Sequence, residues 1–203
     1  NYSLNSGTFD INSRQVNIAG SRIYDGTTAA NGSDLVVTTG VGSEILTVSG
    51  TGSISSANVG NNKSVTAGSL ALSSGSGNAS NYTLGTITLS VTQRIVNADL
   101  EKTYDGNTNV AASSLKTNGI SNTVLGHSLN LTGTGAMSST GVGIDKTVSI
   151  GTLSLTGSQA ANYTLTGGAH TIDVNPRSTN ASGTRHDDGS LAARGSVVTN
   201  FTN

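Results

Sequence analysis

The stretch Arg22-Ile-Tyr-Asp-Gly-Thr-Thr28 returns as Lys102-Thr-Tyr-Asp-Gly-Asn-Thr108, 80 residues further along a chain of 203. Other pieces follow in the same order. Gly50-Thr51-Gly52 matches Gly133-Thr134-Gly135, Val59-Gly60 matches Val142-Gly143, and Lys63 matches Lys146, all at an offset of 83. Gly68-Ser-Leu-Ala-Leu72 matches Gly151-Thr-Leu-Ser-Leu155 at the same offset, and Asn81-Tyr-Thr-Leu84 matches Asn162-Tyr-Thr-Leu165 at 81. Offsets that drift by only a few residues mark two copies of one unit whose loops differ slightly in length. Residues 14–93 are read as the first unit and 94–176 as the second.

Both termini carry pieces of further copies. Asn1-Tyr-Ser-Leu4 resembles Asn81-Tyr-Thr-Leu84, so residues 1–13 read as the tail of a preceding unit. Residues 177–203 align with the first unit at an offset of 163, with Arg177, Gly183, Asp188 and Gly189 in step. There Asp187 stands where the tyrosine belongs, so this stretch reads as the start of a degenerate third unit and is expected to pack less well.

Within a unit the local signals are strand and turn. Val16 and Ile18, and Ile87, Leu89 and Val91, alternate with polar neighbours at period 2. An inward-facing pair is expected at Phe9/Ile11, Leu89/Val91 and Ile172/Val174, and the single proline, Pro176, sits at a unit junction. The expectation is an all-β chain of tandem small β-sandwich or grasp-like modules in an elongated array. A β-solenoid is the alternative, although its rungs repeat at roughly 20–30 residues and no such sub-period is visible.

Composition removes whole classes of function. Gly, Ser, Thr and Asn make up 107 of the 203 residues, while charged residues are 10% and aromatics 3%. Too few Ala, Leu, Glu and Lys remain for a helical bundle. A net charge of −1 offers no basic surface for nucleic acid. No apolar run approaches the roughly 18–20 residues of a spanning helix, so no membrane insertion is expected. The opening NYSLNSGTFD lacks the basic and apolar regions of a signal peptide. Cysteine is absent, which excludes disulfides and thiolate chemistry and suits an exported surface protein.

The residues that repeat are the candidates for function: Tyr24, Asp25, Gly26 and Tyr104, Asp105, Gly106 in one motif, Asn81, Tyr82 and Asn162, Tyr163 in the other. An Asp-Gly pair after a tyrosine suits a strand running into a turn, with the aspartate bonding its own backbone. The tyrosines are the largest apolar surfaces in a chain without tryptophan, so they are expected to anchor the core, Tyr104 included. The competing reading makes them an aromatic platform for sugars.

Catalysis finds no support. His127, His170 and His186 do not recur between copies, no G-x-S-x-G elbow occurs, and Glu44 and Glu101 occupy non-equivalent places. No enzyme activity, cofactor or metal is therefore expected. Calcium at Asp25, Asp105 or Asp145, a metal at His186–Asp188, and isopeptide bonds from Lys63 and Lys146 remain the weaker alternatives.

The series Arg/Lys-x-Tyr-Asp-Gly-x-Thr, Gly-Thr-Gly, Val-Gly-x-x-Lys-x-Val, Gly-Ser/Thr-Leu-x-Leu and Asn-Tyr-Thr-Leu resembles the YDG repeat of large bacterial surface adhesins. Such proteins are similar to filamentous haemagglutinin and leave the cell by two-partner secretion. The resemblance implies an extracellular, non-enzymatic module, stacked into a stalk that carries an adhesive region outward in attachment or biofilm formation. Its implied partners are neighbouring repeats of the same chain, with host or matrix glycans or receptors as further candidates.

Overall fold

A computed structural model describes residues 7–184 and 200–202. It is mostly strand, and among the described residues the only helical elements are 3-10 turns of three residues each. The chain forms two compact units. One holds the described residues up to Arg94 together with Thr123–His127 and Ser158–Thr164. The other holds Ile95–Asn122, Ser128–Gly157 and the described residues from Leu165 onward.

In the first unit the strands are β1 (Arg14–Ile23), β2 (Ala29–Asn31), β3 (Leu35–Thr38), β4 (Leu46–Ser49), β5 (Thr51–Ile54), β6 (Gly60–Thr66), β7 (Ala71–Ser74) and β8 (Tyr82–Thr92). Six of them make one curled sheet in the order β2-β5-β6-β8-β1-β3. The first and last strands, β1 and β8, pair in parallel with Ile18 opposite Ile87, and their other neighbours are antiparallel. Parallel neighbours require a long connection. Here nearly the whole repeat supplies it. The period-2 pattern then places Val16, Ile18, Ile87, Leu89 and Val91 on one face, all buried. The remaining strands, β4 and β7, form a two-stranded ribbon, and Leu46 of that ribbon packs with Val16 and Tyr82.

The second unit repeats this plan. After the short β9 (Arg94–Ile95) come β10 (Asn97–Thr103), β11 (Asn109–Ala111), β12 (Leu115–Ser121), β13 (Asn130–Thr132), β14 (Thr134–Met137), β15 (Gly143–Ser149) and β16 (Ser154–Thr156). The chain continues through β17 (Tyr163–Thr164), which belongs to the first unit, and then β18 (His170–Asn175), β19 (Asn180–Ser182) and β20 (Asn200–Thr202). The sheet order β11-β14-β15-β18-β10-β12 is the first unit's order strand for strand, with β10 and β18 as the parallel pair. Leu100, Ile172 and Val174 are its buried centre, and β13 and β16 form the ribbon.

Two of the repeated motifs explain each other through this packing. A Cβ added at Gly52 would lie 2.6 Å from the Thr66 carbonyl and 2.8 Å from a Leu70 methyl. At Gly135 the distances are 2.7 Å to Ser149 and 2.8 Å to Leu153. The second glycine of Gly-Thr-Gly is therefore the space into which the leucine of Gly-Ser/Thr-Leu packs.

One expected core pair is not in the core. Leu89/Val91 and Ile172/Val174 are buried, but Phe9 is 88% and Ile11 87% exposed. The cause is the lack of neighbours: no strand runs through residues 7–13, whereas the other two pairs lie on strands flanked on both sides. The expectations for Tyr2 and for 185–199, including His186 and Asp187, lie outside the described residues.

Candidate functional site

Each Tyr-Asp-Gly corner caps the strand that opens its repeat. The Tyr24 amide donates to the Thr92 carbonyl at 2.9 Å and the Tyr104 amide to Asn175 at 2.8 Å, extending the parallel pair by one bond. The chain then turns. The Asp25 carboxylate accepts the Thr27 amide at 2.9 Å, and Asp105 accepts the Asn107 amide at 3.1 Å. Gly26 and Gly106 follow at φ +78° and +77°, a left-handed conformation that glycine adopts without a steric penalty.

The cation two residues before the tyrosine closes each corner. Arg22 pairs with Asp25 and reaches the Thr27 hydroxyl at 2.9 Å. Lys102 lies 2.9 Å from Asp105 and donates to the Asn107 and Asn109 carbonyls at 3.0 and 2.9 Å. Lys102 and the Asn107 amide hold the Asp105 carboxyl below the usual carboxylate range. Both carboxylates are thus committed to their own turns.

The two tyrosines then part company. Tyr24 is 2% exposed. In the first unit its ring meets Tyr163 edge to face, with centroids 5.4 Å apart at 81°, and His127 stands 5.9 Å away. Edge-to-face contact suits the quadrupoles of two rings. The Tyr24 hydroxyl donates to Gln159 at 3.2 Å. Burial, then the neighbouring Tyr163 and Asp25, push the Tyr24 pKa above the usual tyrosine value.

The residues around that ring bond to one another and to the neighbouring backbone. The Tyr163 hydroxyl accepts the Val124 amide at 3.0 Å and lies 2.7 Å from His127 Nδ1. The buried Asn162 accepts the Val59 amide at 2.9 Å and donates to Gln159 at 2.8 Å and Asn58 at 3.1 Å. Gln93 Nε2 donates to the Ala161 and Tyr163 carbonyls, both at 3.1 Å. Neither Gln93 nor Gln159 stood out in the sequence, because glutamine appears at neither counterpart: Pro176 matches Gln93 and Asn78 matches Gln159.

Tyr104 does not anchor the core as expected. It is 39% exposed, in an open groove with Asp105, Gly106, Val142, Pro176 and Arg177. The turn beneath it is intact, so the difference lies in what covers the ring. Segments 123–127 and 158–164 lie over Tyr24, and no counterpart of them lies over Tyr104 among the described residues.

The second motif behaves differently again. Tyr82, which opens β8, and Tyr163, which opens β17, are both buried, and the hydroxyl of each meets a polar side chain. Tyr82 donates to Glu44, and that bond is the first cause of its raised pKa. Glu44 and His127 are 83 apart, so one position of the repeat serves the tyrosine hydroxyl with two different side chains. Asn162 is buried while Asn81 is exposed.

The remaining candidates have structural partners. His170 is buried, with Nδ1 accepting the Ala98 amide at 3.1 Å and Nε2 2.9 Å from the Leu165 carbonyl, where Ile87 stands in the first unit. Lys63 Nζ donates to the Ser56 and Asn58 carbonyls, and Lys146 to Ser139 and Gly141. Neither isopeptide site is assembled, since these partners are backbone oxygens. Among the described residues no group of three His, Cys, Asp or Glu side chains is placed to hold a metal.

One ionic cluster has no copy in the first unit. Lys116 Nζ lies 3.0 Å from Asp99 and 2.8 Å from Asp173, and Asp173 also accepts the Asp145 amide at 2.9 Å. Lys116 and the Asp145 amide hold the Asp173 carboxyl low, and the two carboxylates push Lys116 above the usual lysine range.

A family model of the YDG domain matches residues 10–89 and again 87–172. The chain belongs to the YDG-domain family. No curated protein and no solved structure matches it. The tyrosine, aspartate and glycine at 24–26 and 104–106 thus fall once in each YDG match.

Proposed function

We propose that this tandem YDG chain is a stretch of stalk or spacer in a secreted, cell-surface adhesin of the filamentous-haemagglutinin kind, arranged as an elongated array that supports attachment or biofilm formation. The observation that carries this reading is repetition without chemical specialisation. Both copies use the same sheet order and the same ion-paired Asp-Gly corner, and at the position where His170 replaces Ile87 each side chain is buried within its own unit. A module whose polar groups are spent on its own turns suits spacing better than catalysis, and we take the protein to be non-enzymatic.

Small-angle scattering on the 203-residue chain tests the reading. An elongated pair-distance distribution is expected, and a compact sphere would overturn it.

A second reading, a carbohydrate- or receptor-binding module, is favoured by one observation: Tyr104 is half-open beside Asp105 in a groove. A stacking platform repeated along the array would need the same ring open in each copy, and Tyr24 is buried. A glycan array showing saturable binding that Tyr104→Ala abolishes would promote this reading over the stalk.

A further inference from the structure

The open groove at Tyr104 has a covered twin. Tyr104, Gly106, Val142 and Pro176 of the second unit correspond by repeat position to Tyr24, Gly26, Val59 and Gln93 of the first. In the first unit each of these four is engaged. Tyr24 is bonded to Gln159 and packed on Tyr163, and a Cβ on Gly26 would come within 3.0 Å of Val124. The Val59 amide goes to Asn162, and Gln93 to the Ala161 and Tyr163 carbonyls. Every engaging group lies in 123–127 or 158–164. Without those groups, Val142 is 55% exposed and Tyr104 stands open.

The covering residues have a twin as well. Val124, His127, Asn162 and Tyr163 correspond to Val41, Glu44, Asn81 and Tyr82, which line an open groove on the first unit. The match extends to geometry, because the Tyr82–Glu44 bond mirrors the Tyr163–His127 bond. The chain therefore carries an uncovered copy of each half of an arrangement that it also displays assembled.

We infer that the groove at Tyr104 is a docking site for another copy of this repeat, which enters with its Val41, Glu44, Asn81 and Tyr82 face. Asn81 takes the place of Asn162 and accepts the Val142 amide, Val41 lies on Gly106, and the Tyr82 ring meets Tyr104 edge to face. Pro176 cannot reproduce the two bonds of Gln93, so this junction is the weaker of the two. A surface that pairs with a different surface of the next copy makes a heterologous contact, so assembly proceeds head to tail. The inference rests on the reading of the chain as part of a repeat array and adds the side chains that join one repeat to the next.

Cysteine trapping on the whole chain tests it, helped by the absence of native cysteine. V142C protein is mixed with N81C protein under mild oxidation, and T117C, an exposed position on the second sheet, serves as the control partner. The expected result is a mixed V142C–N81C dimer formed at least tenfold faster than V142C–T117C. Y104A in the V142C chain should reduce that rate to the control level while circular dichroism stays unchanged. A chain bearing both V142C and N81C should give a ladder of oligomers. Equal rates for the two partners, or a rate insensitive to Y104A, would overturn the inference. Saturable glycan binding at Tyr104 without trapping would also overturn it and give the groove to sugar. Scattering separates the two proposals, since an elongated chain that fails to trap keeps the stalk and loses the docking site.

Discussion

The corners at Tyr24 and Tyr104 are built from the same three residues, close with the same cation-to-aspartate pair, and turn through the same glycine φ to within a degree. Yet one tyrosine is sealed and the other stands open. Local sequence thus sets the turn, while burial is set by chain that arrives from far along the sequence. A tyrosine in this motif is an anchor where a partner segment lies over it and an exposed ring where none does.

Removing the sealed ring is the strongest way to break this comparison. Tyr24→Ala should cost the first unit about 3–5 kcal/mol, as for other large buried aromatics. Tyr104→Ala should cost the second unit about 1 kcal/mol at most, as for an exposed position. Urea unfolding followed by amide exchange, which separates the two units, measures both. Equal losses would show that the corner itself, and not its cover, holds the ring.

The asparagines sharpen the same contrast from the covering side. Asn162→Ala strands the Val59 amide and removes the partner of Asn58 and Gln159, at a cost of about 2 kcal/mol. Asn81→Ala, at an exposed position, should change stability by no more than about 0.5 kcal/mol. Midpoints of chemical denaturation for the two variants report the difference directly, and a larger loss for Asn81→Ala would reverse the assignment of buried and open faces.

A smaller effect tests the substitution of histidine for glutamate. Tyr163→Phe leaves the Val124 amide without its acceptor and should cost about 1–2 kcal/mol. Tyr82→Phe frees only the part-exposed Glu44 carboxylate, which water can solvate, and should cost about 1 kcal/mol or less. Thermal melts rank the pair. If Tyr82→Phe proves the costlier, the glutamate bond is the stronger.

Much of this plan was legible in the residues. Alternation at Val16/Ile18 and at Leu89/Val91 marks strands facing a core, because period 2 is a property of the strand itself. The Asp-Gly turn could be read for the same local reason. The parallel pairing of β1 with β8 could not, since no local signal links strands separated by nearly a whole repeat. Phe9 and Ile11 misled because a pattern states which side would be buried and not whether a neighbour is present. Tyr104 misled in the same way. The Glu44/His127 position escaped notice because an acidic and an imidazole side chain do not match as residue types, although the offset of 83 beside the repeated Asn-Tyr pairs was there to be counted.

The smallest predicted effect concerns pH, and it divides the two units. Asp105 and Asp173 both belong to the second unit and both have carboxyls held below their usual value, each chiefly by a lysine. A depressed carboxyl contributes stability that is present above its unfolded pKa, about 3.9, and is lost as pH falls through the folded value. The second unit should therefore weaken below about pH 4. Lys116 has the opposite sign of shift, so its contribution is present below its unfolded pKa of about 10.4 and is lost as pH rises through the folded one. The raised pKa values of Tyr24 and Tyr82 act the same way in the first unit, which should weaken above about pH 10. The Asp105 and Asp173 carboxylates are near solvent, so added salt should blunt the acid effect. Carboxyl NMR titration with Lys116→Met as the control decides the cause. The substitution should bring the Asp173 titration back toward the ordinary range and flatten the acid arm of the second unit. An Asp173 titration unchanged in Lys116→Met would assign the depression to the Asp145 amide instead.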